Sequence, residues 1–167
     1  KKKFYVSLPS LKIFSQPSIR LSFFIFDNDP AVIKHTLALF ENFPNYFCAA
    51  VVTDCESAID EIYKLKPQLV IVGIPFDGKD NSLSFSAIAE LHQYSESIPY
   101  FVALASTPNF AFDAIQSGFS DYLLKPLLLH QLGKCLFKFE KKNPTGGPET
   151  ICIKSYSDYQ FVPLQDI

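Results

Sequence analysis

Five short apolar runs, regularly spaced, restrict what this chain can fold into. They are Ser22-Phe23-Phe24-Ile25-Phe26, Phe47–Val52, Leu69–Val72, Tyr100–Leu104 and Tyr122–Leu124. A strand with one wet face alternates apolar and polar residues, whereas an unbroken apolar run marks a strand covered on both faces. Between the runs, apolar residues recur at helical spacing. Ile33, Leu37 and Phe40 form one such stripe, Ala58, Ile62 and Leu65 a second, and Phe85, Ile88 and Leu91 a third, within a helix expected over Leu83–Tyr94. Ala111, Ala114 and Ile115 mark a fourth helix, and Leu128, Leu132, Cys135 and Phe139 a last one. Asp29-Pro30 supplies an N-cap and first-turn proline. Thr53 and Glu56 have capping-box spacing. Thr107-Pro108 opens the fourth helix, and Gly118 suits a left-handed C-cap at its end. Strands alternating with helices imply an α/β fold, a doubly wound parallel sheet with helices on both faces. Periodicity leaves the strand order open.

A chain of 167 residues that is 48% hydrophobic, with 17 Phe, can bury a full core. Its formal charge of −2 argues against a surface that coats nucleic acid. No apolar run approaches the roughly 20 residues of a membrane span. Lys1–Lys3 looks like the start of a signal peptide, but Pro9, Lys12 and Gln16 break any apolar core, so a cytoplasmic location is expected. Cys48, Cys55, Cys135 and Cys152 lack metal-ligand spacing and are expected as reduced, mostly buried thiols. His35, His92 and His130 are isolated and expected as surface or packing residues. There is no methionine, not even an initiator, which fits a processed fragment or the loss of modified methionines from the sequence as read.

In a parallel α/β sheet, ligands bind at the carboxyl edge. Two charged residues stand there. Asp27 follows the first run, and Lys125 follows Tyr122-Leu123-Leu124 and precedes Pro126. The stretch Ser117–Pro126, SGFSDYLLKP, resembles the last strand of bacterial receiver domains, the phosphoacceptor modules of two-component response regulators. That resemblance implies a CheY-like, flavodoxin-like sheet of order 2-1-3-4-5. It also implies that Lys125 stands where the family contacts the phosphoryl group, usually before a cis proline bond.

Residue by residue, the resemblance is incomplete. The family's acidic pair after the first strand reads Asp27-Asn28 here. Asn28 offers a neutral oxygen, so Asp27 is at most a weak Mg²⁺ ligand and no cofactor is expected. Pro67 and the apolar run after it align Gly73 with the phosphoacceptor aspartate. Glycine cannot form an acyl phosphate. Leu104 occupies the usual Thr/Ser position, although Ser106 lies two residues on. Asp77-Gly78 resembles the pair before the family's third helix, in a loop about three residues short, and Asp77 is expected as a loop or cap residue.

Residues 1–20 are an unassigned extension, 21–141 the receiver-like domain and 142–149 a linker. Residues 150–167 look like the truncated start of a LytTR-type DNA-binding domain, as a hairpin of Ile151–Lys154 and Phe161–Leu164. The expectation is therefore a degenerate receiver of a LytTR-type regulator, not an enzyme. It would act through a protein partner, including a second copy of itself, and reach DNA only through residues outside this chain. The family's pairing face, built by the fourth helix, fifth strand and fifth helix, nominates Phe110, Phe112, Phe119 and Tyr122. The alternatives are a phosphorylatable response regulator rescued by another carboxylate, a free-standing adaptor, and a small α/β enzyme or cofactor binder. No Gly-rich phosphate loop or GxSxG motif favours the last.

Overall fold

The apolar runs become five parallel strands: β1 (Leu21–Phe26), β2 (Tyr46–Val52), β3 (Leu69–Ile74), β4 (Tyr100–Ala105) and β5 (Asp121–Leu124). In this computed structural model, residues 19–76 and 85–144 are described fully, and 150–155 and 158–163 by their backbone pairing. Five helices alternate with the strands: α1 (Pro30–Phe40), α2 (Cys55–Leu65), α3 (Phe85–Tyr94), α4 (Ala111–Gln116) and α5 (Leu129–Lys142). The sheet order is β2-β1-β3-β4-β5, as expected. A bulge between Phe23 and Phe24 shifts the β1–β2 register, so Cys48 and Ala50 become their partners. A bulge at an edge strand discourages pairing with foreign strands.

Because side chains alternate along a strand, the apolar runs feed two separate cores. Phe23, Ile25, Leu69, Ile71, Val102 and Leu104 pack with α1 and α5 through Phe40, Leu132, Leu136 and Phe139. Phe24, Phe26, Val70, Val72, Phe101 and Ala103 face α2, α3 and α4 through Ala58, Ile62, Ile88 and Ala114. The central strands β3 and β4 are buried at every position. Burial pushes the Cys135 thiol up to about 12, assisted by the neighbouring negative Asp121. It is an inert core residue. Cys48 is exposed rather than buried, and Cys48, Cys55 and Cys135 are all free thiols.

Helix starts depart from expectation where a better acceptor lies nearby. Asp29 caps α1, accepting from the N–H groups of Ala31 and Val32. For α2 the cap is Asp54, not Thr53: its carboxylate accepts from the Ser57 N–H at 2.9 Å. Thr107 does not open α4. Its hydroxyl accepts from the Asn109 N–H at 3.0 Å and closes a turn, and the helix begins only at Ala111. The helix is then six residues long and buries only Ala114, leaving Ile115 65% exposed instead of inward. Leu128 is the extended residue before α5, and Leu65 ends α2, so both are exposed too.

The chain divides into two compact units, one of which spans Ile19–Asn143. In the other, β6 (Thr150–Ser155) and β7 (Asp158–Pro163) form the expected antiparallel pair, with Ile151 opposite Val162 and Lys154 opposite Tyr159.

Two glycines separate backbone need from tolerance. Gly118 has φ +98°, and a Cβ there would meet the His92 ring at 2.5 Å. Gly133 lies in α5, where a Cβ would make ordinary contact with Phe43 at 3.7 Å. Urea unfolding should therefore show Gly118→Ala losing about 1–3 kcal/mol, and Gly133→Ala gaining roughly 0.5–1 kcal/mol from helix propensity. Equal effects at the two positions would contradict this packing.

Candidate functional site

Strand register brings the sequence candidates to one level at the carboxyl edge. Phe26 pairs with Val72, so the next residues, Asp27 and Gly73, stand side by side. Gly73 pairs with Leu104, and Leu104 pairs with Leu123. Alternation then puts Asp27, Gly73, Leu104 and Lys125 on the same sheet face, the one covered by α1 and α5.

Asp27 is only 4% exposed, and both of its carboxylate oxygens are engaged. Oδ2 accepts from the Lys125 ammonium at 3.0 Å, and Oδ1 accepts from the Asp29 N–H at 2.9 Å. Lys125 is fixed in turn. Its N–H donates to the Ala105 carbonyl at 2.8 Å, and the Lys125-Pro126 peptide is cis. The buried Leu127 follows, with its carbonyl 2.8 Å from His35 Nε2 on α1. His35, expected as a bystander, thus ties the β5–α5 loop to α1. Nothing in its sequence context marks it for that contact.

Gly73 explains where the Asp27 carboxylate goes. A Cβ built on Gly73 would collide with Asp27 Oδ2 and Cγ and touch its Cβ at 3.0 Å. The carboxylate therefore leans over the tip of the middle strand, into the volume that any side chain at position 73 would need. Leu104, 1% exposed, contributes an apolar side chain to the core at the same level.

These residues do not suit a magnesium ion. Mg²⁺ requires near-octahedral oxygen ligands at short range, generally including one or two free carboxylates. Each Asp27 oxygen already accepts a hydrogen bond and one of them faces an ammonium, Asn28 is an exposed neutral amide, and the exposed Asp29 directs Oδ1 to the first N–H groups of α1. Among the described residues, no three His, Cys, Asp or Glu side chains gather closely enough to hold a metal. Asp77 lies outside the described residues.

The four aromatic candidates separate. Phe119 is 5% exposed and packs edge-on against Phe85 and Phe101, because its position after the Gly118 turn points it into the core. It is a core residue and not surface. Tyr122 is half-buried and its hydroxyl donates to the Thr107 carbonyl at 2.6 Å. Phe110 is partly buried against the same cluster. Phe112 alone is freely presented, 69% exposed, with Ile115 beside it on α4. Ile115 was missed as a surface residue because the helix is shorter than its spacing suggested.

No protein-family model and no curated protein sequence matches the chain. Solved structures do. A two-component response regulator of the LuxR family from an Aurantimonas species matches with TM-score 0.63 and 18% identity, over 74% of this chain and 86% of that one. The signal receiver domain of NarL from Mycobacterium tuberculosis matches at 0.62 and 16%, over 73% and 97%. A DNA-binding response regulator of the LuxR family from Staphylococcus aureus matches at 0.61 and 16%, over 71% and 98%. The fold is that of receiver domains. On this receiver fold, Asp27, Gly73, Leu104 and Lys125 gather at the carboxyl edge where the sequence alignment put them.

The Asp27–Lys125 pair carries a desolvation cost on both charges, offset by their attraction and by the Asp29 N–H. The lysine side chain retains 18% exposure, which lowers the coupling below that of a sealed pair. Lys125→Met and Asp27→Asn should each reduce unfolding free energy by about 1–3 kcal/mol, and a double-mutant cycle should return a coupling of about 1 kcal/mol or more. Strict additivity would mean that the pair is not formed.

Proposed function

We propose that this chain is a pseudo-receiver: a signal-receiving, protein-interaction domain of a two-component-type transcriptional regulator that works without aspartyl phosphorylation. The observation that carries this reading is the arrangement at Gly73. Phosphoryl transfer to a receiver needs a carboxylate nucleophile, a metal ion to neutralise the incoming phosphate, and a cation with a hydroxyl to hold the transferred group. At Gly73, next to the last residue of β3, there is no side chain, and the adjacent Asp27 carboxylate is a salt-bridge partner that already accepts a hydrogen bond on each oxygen. Leucine stands in the hydroxyl position. Lys125 has a permanent anion beside it and no need of a transient one.

On this reading the domain signals by what it binds. The exposed Phe112 and Ile115 of α4 are the best-presented apolar residues on the face proposed for a protein partner or a second copy of the chain. Aromatic and branched apolar side chains suit such a contact. Residues 150–163, paired as a hairpin, are read as the start of a LytTR-like module, and any DNA contact is assigned to residues outside this chain. The domain is assigned no enzymatic activity.

Incubation with acetyl phosphate and Mg²⁺, followed by intact-protein mass measurement, tests the reading. The expected result is an unchanged mass under conditions that phosphorylate a conventional receiver run alongside. A hydroxylamine-labile phosphoryl adduct would overturn it, and an adduct mapped to Asp77 would make the domain an ordinary phosphorelay receiver.

A further inference from the structure

Away from the Asp27–Lys125 site, at the opposite, amino-terminal edge of the sheet, α2 and α3 end side by side over a groove of about 270 Å³. Its floor is apolar, made by the buried Ile62, Leu91 and Pro99. Its walls include two tyrosines that the core does not use: Tyr63 is 49% and Tyr94 75% exposed. Glu96 and the serines on either side of it also line it, as does Lys66, the residue that caps α2.

Three features give this groove a sign. A helix carboxyl end carries the equivalent of roughly half a negative charge on carbonyls that lack intrahelical partners, and two such ends border it. Tyrosine faces attract cations through the ring quadrupole, by about 0.5–1 kcal/mol at exposed sites. Glu96 adds a full negative charge. Lys66 opposes Glu96 with an equal and likewise exposed charge, and it serves α2 as the left-handed cap residue at φ 46°, so the excess negative character comes from the helix ends and the tyrosine faces. The Lys66 N–H donates to the Ile62 carbonyl at 2.9 Å.

We propose that the groove is a docking site for an arginine side chain of a protein partner. A guanidinium is flat, stacks on aromatic faces, is less strongly hydrated than an ammonium, and presents N–H groups to a carboxylate and to carbonyls together. The aliphatic part of the side chain suits the Ile62, Leu91 and Pro99 floor. A carboxylate ligand would face Glu96 and both helix ends, and a purely apolar one would leave those acceptors unused. This site names the chemistry of a partner and stands whether or not the carboxyl edge accepts phosphate.

Amide-resolved NMR titration of the intact chain with N-acetyl-arginine amide tests it, with N-acetyl-citrulline amide as the neutral isostere. Saturable shifts are expected at Tyr63, Tyr94 and residues 95–97, several-fold weaker for citrulline. Glu96→Gln should weaken arginine binding roughly two- to fivefold, as loss of an exposed ion pair would. Lys66→Gly, which tolerates the positive φ, should tighten it by removing a like charge. No saturable shift with arginine, or equal affinity for citrulline, overturns the proposal. Tighter binding of N-acetyl-proline amide than of the arginine probe would also overturn it and assign the groove to an apolar peptide. The acetyl phosphate experiment reads a different site, so either reading can fail without the other.

Discussion

The Asp27 carboxylate is held from two sides, by the Lys125 ammonium and by the Asp29 N–H, and it leans over a position with no side chain. Much of the carboxyl edge depends on that arrangement. The strand end of β1 is tied to the loop after β5 across the intervening β3 and β4, so two elements distant in sequence share one contact. An aspartate this buried requires compensation for lost hydration, and here the compensation consumes both oxygens. Among the described residues, what stands at this corner of the receiver fold is a buried carboxylate paired with an ammonium beside a glycine.

The fold was legible because its cause is local. An unbroken apolar run has to be covered on both faces, and right-handed crossovers between such runs leave few architectures. The buried β3 and β4 were the clearest in sequence and are the most completely enclosed in the structure. Strand order was not legible from periodicity and came from the likeness of Ser117–Pro126 to receiver domains. Helix ends were the least legible. Asp54 displaced Thr53 as a cap because its carboxylate reaches the Ser57 N–H, and Thr107 used its hydroxyl on a turn. Neither choice follows from residue type, since both threonines are acceptable caps.

The site was half legible. Aligning Pro67 and the following apolar residues placed Gly73, the ends of the other runs placed Asp27, Leu104 and Lys125, and the register brings all four to one level. The engagement of both Asp27 oxygens was not visible, because it depends on the absent Cβ at Gly73 and on a backbone N–H two residues along the chain. The surface was least legible. Phe119 and Phe112 are alike in sequence, but the Gly118 turn sends the first inward, and the short α4 leaves the second in solvent. The groove beneath α2 and α3 was invisible for a similar reason: Tyr63 joins Tyr94 and Glu96 only through packing.

Magnesium titration followed by carbon-detected NMR of the Asp27 side-chain carboxyl tests the central claim most directly. With both oxygens committed to Lys125 and Asp29, the Asp27 signal should stay in place through millimolar Mg²⁺, with no broadening at Gly73. A saturable shift at Asp27 accompanied by release of the Lys125 ammonium would show that the corner opens to a metal, and would contradict the account.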